Sequence, residues 1–524
     1  MTIESPSQFA PSREARRGDR AGGRRRSASL RWLGGLASAL AVLVFAALVA
    51  VWPTLTLLAL GFTLVTVLAL FAPPFALVGT ILLYGLEGMI KVGLAHELPA
   101  LGVTPEAFGA ALLDAAFLVA VLGLLRQDRG RTLVAIWRNS GSWTRVALSL
   151  LAAWLAISLL QVPLTSDLDT ALAGFRLTQV YVLAVLAGAV LLARCRPEHV
   201  VAALVGVLLI IAAYAAFRAV AGPAPSERLA AFTRSTTPLV PSENGVIFRN
   251  TGSISSAIGL ASFLVPAGVL LFALGLFLAR LRLAAWTGLA FVLVALVGTY
   301  VRTSLLAIAG GAVCAAALFT FTSALRRRTK IGLGLASAPL LVVLLVIGAL
   351  VPNAVSGGSP EVALRSAGVL KPLSDASLEL RFQRWRESLD VVKENPLGTG
   401  VGTVGAATRD REGTVRTFAD NSYLKILQEQ GPLGAVPFIL GLFATLIAAA
   451  AGVARRAMPL RGLGTAAVTA SVSFFLLAWT SEAIEQPGKV LAWFLLGVAL
   501  WVAFGSPKPE RGSGEGGSVA PGTG

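Results

Sequence analysis

The sequence predicts an all-α polytopic membrane protein, and three observations carry that prediction. The 524 residues are 56% hydrophobic and only 14% charged, with a mean hydropathy of +0.77, whereas soluble domains carry about 25% charged residues. The apolar residues fall in repeated runs of about 20, the length that crosses a hydrocarbon core of roughly 30 Å. The basic residues cluster in alternate short connectors, the asymmetry that orients spans with their positive side inside.

Taken in order, residues 1–31 are polar and hold Arg16, Arg17, Arg24, Arg25 and Arg26. They read as a disordered cytoplasmic tail able to touch anionic lipid. The apolar run that follows has no convincing small-x-small cleavage site before Pro53, so it is expected to stay as a span rather than leave as a signal peptide. Spans are expected near 33–52, 54–72, 74–94, 107–125, 144–162, 176–194, 199–221, 254–279, 283–301, 303–324, 331–351, 432–453, 463–481 and 487–505. This gives about fourteen transmembrane helices by the length criterion. The chain therefore divides into the tail, spans 1–11 over 32–351, a polar loop at 352–431, spans 12–14 over 432–505 and a Gly/Ser/Pro-rich flexible tail at 506–524.

With the N-terminus cytoplasmic, Arg126, Arg129, Arg131 and Arg138 fall inside, as do Arg194, Arg196, Arg280 and Arg282. The same holds for Arg326, Arg327, Arg328, Lys330, Arg455, Arg456 and Arg461. The connector 163–175 lies outside and carries Asp167 and Asp169. The net charge of +17 is thus accounted for by topology, and no nucleic-acid partner is expected. The bilayer is the expected partner, and the expected location is the cytoplasmic (inner) membrane, multi-pass. Cys195 and Cys314 are the only cysteines and His96 and His199 the only histidines, which argues against a disulfide framework or a Cys/His metal site.

The loop 352–431 falls outside and holds ten Lys/Arg and ten Asp/Glu. Asp375 is positioned to cap a helix in which Leu378, Phe382, Trp385, Leu389 and Val392 recur at helical spacing. Arg381 and Arg386 flank that stripe, and Asn395-Pro396 ends the helix. The turn from Pro396 to Gly402 has the glycines that let backbone N–H groups approach an anion. Gly400-Val401-Gly402-Thr403-Val404-Gly405 has the spacing of a dinucleotide fingerprint. That motif needs a preceding strand, and here a helix precedes it, so no cofactor is expected. A short helix opens at Asp420-Asn421-Ser422, with Asp420 as its expected cap, and closes at Gly431-Pro432.

These residues resemble the O-antigen ligase and O-antigen polymerase superfamily. The family pattern is an arginine-tryptophan helix, Asn-Pro-Leu-Gly-x-Gly-Val-Gly, His-Asn-x-Tyr-Leu, and Glu-x-Gly-x-Leu-Gly leading into a span. This chain supplies Arg384-Trp385, Asn395 to Gly402, Asp420 to Leu424, and Glu429 to Gly434. Upstream, Arg249-Asn250-Thr251-Gly252-Ser253 and Tyr300-Val301-Arg302-Thr303 resemble family segments at the same places. The resemblance covers roughly 245–445 and implies a metal-independent, inverting glycosyl transfer at the outer membrane face. It implies a polyprenyl-diphosphate-linked glycan as donor and a glycan or lipid-linked acceptor, with ligation and polymerisation both open. It implies arginines that bind the diphosphate and a loop histidine that acts as base. Here Asp420 stands at the histidine position, and a carboxylate can serve as a general base.

The candidate catalytic residues are therefore Asp420 and Arg302, and the candidate substrate-binding residues are Arg249, Arg381, Arg384, Asn421 and Tyr423, with no metal. Arginine suits a diphosphate because its planar fork is permanently charged. The bland alternatives are a snorkelling anchor for Arg302, an interfacial anchor for Arg249, intrahelical pairs for Arg381 and Arg384, and a helix cap for Asp420. Glu482 and Glu485, three apart, are expected to share a helix face and are a second source of a base. Glu87 and Lys91, four apart in an apolar run, are expected to pair with each other. Two other functions remain open: a transporter or flippase of lipid-linked sugars, and an inactive assembly partner.

Overall fold

The computed structural model describes residues 53–97, 105–165, 167–222, 239–242, 245–322, 376–408 and 419–505. Contacts divide the chain into two units, Met1–Gly61 and Phe62–Gly524. The expected spans at 33–52 and 331–351, both tails and the Asp375 cap lie outside the described residues.

The described chain is almost wholly helical, as its apolar runs predict. The helices are α1 (Pro53–Phe71), α2 (Pro73–Gly85), α3 (Glu87–Glu97), α4 (Pro105–Asp128), α5 (Arg131–Asn139), α6 (Ser142–Gln161), α7 (Leu168–Thr178) and α8 (Leu183–Arg194). They continue with α9 (Pro197–Ala221), α10 (Ala257–Phe277), α11 (Arg282–Thr299), α12 (Arg302–Thr322), α13 (Ala376–Glu394), α14 (Ser422–Ala454), α15 (Leu460–Ala478) and α16 (Gly488–Leu500). Proline stands at the first turn of α2 and α9, where its missing N–H costs nothing. Ser256 caps α10, accepting from Gly259 N at 2.9 Å. The small antiparallel hairpin β1 (Leu239–Ser242) and β2 (Gly245–Phe248) was not expected from the sequence.

Among the described residues, ten helices are long and apolar enough to cross a membrane, and α2 with α3, bent by 65° at the break, makes an eleventh if the pair counts as one span. In the most apolar stretches of α10, α16 and α15, 89%, 83% and 78% of the residues are buried, against 28% for the α6 segment. The first three therefore form the centre, and α6 lies at the edge. Centre helices meet through small residues. A Cβ on Gly188 of α8 would strike the Phe494 carbonyl of α16, and one on Gly497 of α16 would strike the Val185 carbonyl of α8. The two backbones touch, which is how helices gain packing energy without a hydrophobic driving force between them.

Successive helices run up and down, so connectors gather at two ends. At one end Arg194 reaches the Gln127 carbonyl at 2.5 Å, Arg456 the Ala503 carbonyl at 2.8 Å and Asn139 the Phe504 carbonyl at 3.0 Å. This is the end with the basic connectors. At the other end Gln161, the last residue of α6, donates to the Gln430 carbonyl at 3.3 Å and the Leu397 carbonyl at 3.4 Å. The polar loop therefore covers that second end.

Candidate active site

The loop end is built on a glycine turn that wraps one carboxylate. The amides of Gly402 and Val404 donate to Glu429 Oε1 at 3.0 and 3.2 Å. Thr399 and Gly400 donate to the carbonyls of Gln428 and Glu429 at 3.0 and 2.9 Å. Gly402 has φ +83°, and a Cβ there would strike the Thr170 carbonyl of α7, so only glycine fits. The turn does receive an anion, as its glycines suggest, but the anion is a side chain of this protein. Glu429 pairs with Lys425. Lys425 Nζ also donates to the Val404 carbonyl at 2.9 Å and lies 3.2 Å from Glu485 Oε1. Lys425 is 1% exposed and Glu429 fully buried, a setting in which charge survives only when paired and hydrogen-bonded.

This cluster was missed in the sequence, although Lys425 and Glu429 have the i,i+4 spacing of a helical ion pair. Glu482 and Glu485 differ from expectation too. They sit on a turn around a short 3-10 helix, Ala483–Glu485, instead of sharing an α-helix face, and both are buried. The Glu485 carboxylate lies against Gly405 and Lys425, where it braces the glycine turn.

Above the turn, α13 forms as predicted and ends at Asn395. The face it turns to the protein holds only part of the apolar stripe. Phe382 and Leu389 are 45% and 42% exposed, while Arg381, Arg384, Trp385 and Ser388 face inward. Arg384 Nη1 pairs with the Asp420 carboxylate. Asp420 has φ +47° and is followed by Asn421, whose Oδ1 accepts from Tyr423 N at 2.9 Å and Leu424 N at 3.2 Å. Asn421 is thus the cap of α14, and Asp420 is displaced one residue outward with a partly exposed carboxylate. Gly431, at φ +63°, breaks α14 where the sequence ends the short helix.

Two of the sequence candidates are occupied within the fold. Asn421 is 3% exposed and spends its side-chain oxygen on the cap. Tyr423 is 4% exposed, donates its hydroxyl to the Phe475 carbonyl at 2.8 Å and packs on Phe438, Phe443 and Trp479. Both hold the loop rather than line it.

Arg249 and Arg302 meet at a single turn. Arg249 Nε donates to the Thr299 carbonyl at 2.9 Å, Tyr300 adopts φ +54°, and Arg302 opens α12 half-buried. Asn250 fixes the arginine's own connector, donating to the carbonyls of Ala215 at 3.0 Å and Ala295 at 3.3 Å. The connector between α15 and α16 touches the first residue of α14 and the cap of α10. The Ser422 hydroxyl donates to the Ser481 carbonyl at 2.8 Å, and farther along the same connector Gln486 Oε1 lies 3.3 Å from the Ser256 hydroxyl.

Deeper at this end lies a second polar group. Asp114 of α4 accepts from Tyr84 at 3.0 Å and from Tyr181, with Arg176 Nε 3.2 Å from its other oxygen. Lys489 lies 4.1 Å over the Tyr181 ring and donates to the Glu485 carbonyl at 3.0 Å. Glu87 and Lys91 pair as the sequence predicts, and Ser255 adds a bond to Glu87 at 3.2 Å.

The fold and this arrangement define an all-α polytopic membrane protein with arginines and one partly exposed carboxylate at the loop end of its bundle. Residues 287–439 match the family described as O-antigen ligase. The match covers less than a third of the chain and includes Arg302, Arg381, Arg384 and Asp420, while Arg249 lies outside it. It supports the O-antigen ligase/polymerase superfamily and a membrane glycosyltransferase type of function in polysaccharide biosynthesis. Together with the apolar helices it implies a multi-pass bacterial membrane protein. No curated protein matches the chain.

Proposed function

We propose that this protein transfers a glycan from a polyprenyl diphosphate to an acceptor hydroxyl at the outer face of the cytoplasmic membrane. The observation that carries the reading is the Arg384–Asp420 pair, a carboxylate held partly exposed on the loop by an arginine inside the matched segment. Asp420 accepts the proton of the acceptor hydroxyl. The hydroxyl oxygen forms the new bond to the anomeric carbon as the carbon–oxygen bond to the diphosphate breaks. Arg302 and Arg249 hold the diphosphate, which leaves with the electron pair of the broken bond. Positive charge fixed where negative charge develops stabilises that step, and the displacement inverts the anomeric centre without a metal. Arg381 and Arg384, on the inward face of α13, extend the positive lining toward the acceptor side.

A transport function has one observation in its favour, the 65° break between α2 and α3, because transporters bind substrate at discontinuous helices. The protein itself fills that break: Gly88 N donates to the Ser253 carbonyl at 2.8 Å, and the Ser253 hydroxyl donates to the Gly85 carbonyl. Its charges also neutralise each other in the Glu87–Lys91 pair. Transfer is therefore the better-supported reading.

The test is complementation of a strain lacking this gene with wild type, Arg302→Ala and Asp420→Ala at matched levels. Wild type is expected to restore surface polysaccharide, while both variants leave lipid-linked glycan accumulated outside. Full polymer in both variants would overturn the assignment. Transport of labelled lipid-linked glycan without a new glycosidic bond would support the transporter instead.

A further inference from the structure

At the end opposite the loop, a cavity of about 460 Å³ opens among the ends of α9, α10 and α15 and the turn Ala279–Leu281. This lies within the usual range for small-ligand sites. Its walls are apolar, with Val201, Phe277, Leu460 and Leu463 among them, and its lining carries two charges, Glu198 and Arg280. Both side chains are exposed. The surrounding connectors supply Arg194, Arg196, Arg282, Arg455 and Arg456, so this end sits at the level of lipid headgroups.

We propose that this cavity binds a membrane phospholipid with a primary-amine headgroup. One acyl chain fills the apolar interior, the phosphodiester pairs with Arg280, and the ammonium pairs with Glu198. An apolar chamber with a charged rim between helices fits a lipid better than a soluble anion, because a free phosphate gains nothing from the walls. The carboxylate at the rim selects among lipids. It repels a purely anionic headgroup and rewards an ammonium that can donate hydrogen bonds. The proposal stands apart from glycosyl transfer, since none of these residues belongs to the loop end.

The test uses the full-length protein in detergent, stripped of lipid and offered phosphatidylethanolamine, phosphatidylglycerol or phosphatidylcholine, with adducts counted by native mass spectrometry. Phosphatidylethanolamine is expected to be retained about tenfold better than the other two, the equivalent of one charge-assisted hydrogen bond. Glu198→Gln should remove that preference, and Arg280→Ala should weaken all three lipids, while Arg280→Lys retains most binding. Thermal unfolding of the variants should match wild type, because both side chains are exposed. Equal retention of the three lipids by wild type would overturn the proposal, as would unchanged binding in both charge variants. Preferential displacement of phosphatidylethanolamine by polyprenyl phosphate would overturn it too, by assigning the cavity to the carrier lipid.

Discussion

Arg384 and Asp420 are 36 residues apart in sequence and joined by an ion pair on the loop. The pair ties the inward face of α13 to the residue before the α14 cap. In the proposed reaction Arg384 aims the carboxylate, and Asp420 takes the proton. Asp420→Asn keeps the shape and removes the base. Its turnover should fall by about 10²–10⁴-fold, the usual contribution of a positioned general base, with substrate binding nearly unchanged. Steady-state kinetics on the purified enzyme check this.

Glu429→Ala should be among the most destabilising single changes at the loop end. It leaves Lys425 buried with a weaker set of partners and the Gly402 and Val404 amides without their acceptor. Breaking a buried pair in this way costs about 3–5 kcal/mol. Denaturant unfolding in detergent should register that loss. A Glu429→Ala protein as stable as wild type would show that the glycine turn is held by something else.

The ion pairs mark where the sequence was legible and where it was not. Glu87–Lys91 stands in an apolar run, where an isolated pair of opposite charges four apart has only each other. Lys425–Glu429 has the same spacing but sits in a segment already full of charge, so nothing in the pattern distinguishes it from a solvated face. The all-α class, the α13 boundary at Asn395 and the break at Gly431 were readable, the last two because proline and glycine act locally. The inward face of α13 was not. Outward apolar residues such as Phe382 and Leu389 carry no penalty where the surroundings include lipid, so periodicity alone does not say which face turns in. The Glu482–Glu485 turn was misread because α15 stops at Ala478, and helix spacing no longer applies beyond it.

Gly402→Ala should disrupt the loop without touching a charged residue. The substitution places a side chain at φ +83° against the Thr170 carbonyl. The left-handed conformation alone costs about 1–2 kcal/mol for a residue with a Cβ. The expected outcome is a lower melting temperature and faster proteolytic cleavage of the loop, both readable on purified protein.

Tyr423→Phe separates a structural role from substrate contact. The hydroxyl donates to the Phe475 carbonyl, so its loss should cost about 1 kcal/mol of stability. Turnover and KM should stay near wild type once the variant is folded. A selective rise in KM with unchanged melting would place the tyrosine at the substrate instead.

The central claim is that this loop end breaks a glycosyl–diphosphate bond. The measurement that tests it most directly is single-turnover transfer by the purified protein from a radiolabelled polyprenyl-diphosphate glycan, comparing wild type with Arg302→Ala and Asp420→Asn. The account predicts a new glycosidic product with wild type and at least a hundredfold slower product formation in each variant, about 2.7 kcal/mol of transition-state stabilisation. Wild-type rates in both variants, or intact donor after prolonged incubation with active wild-type membranes, would contradict it.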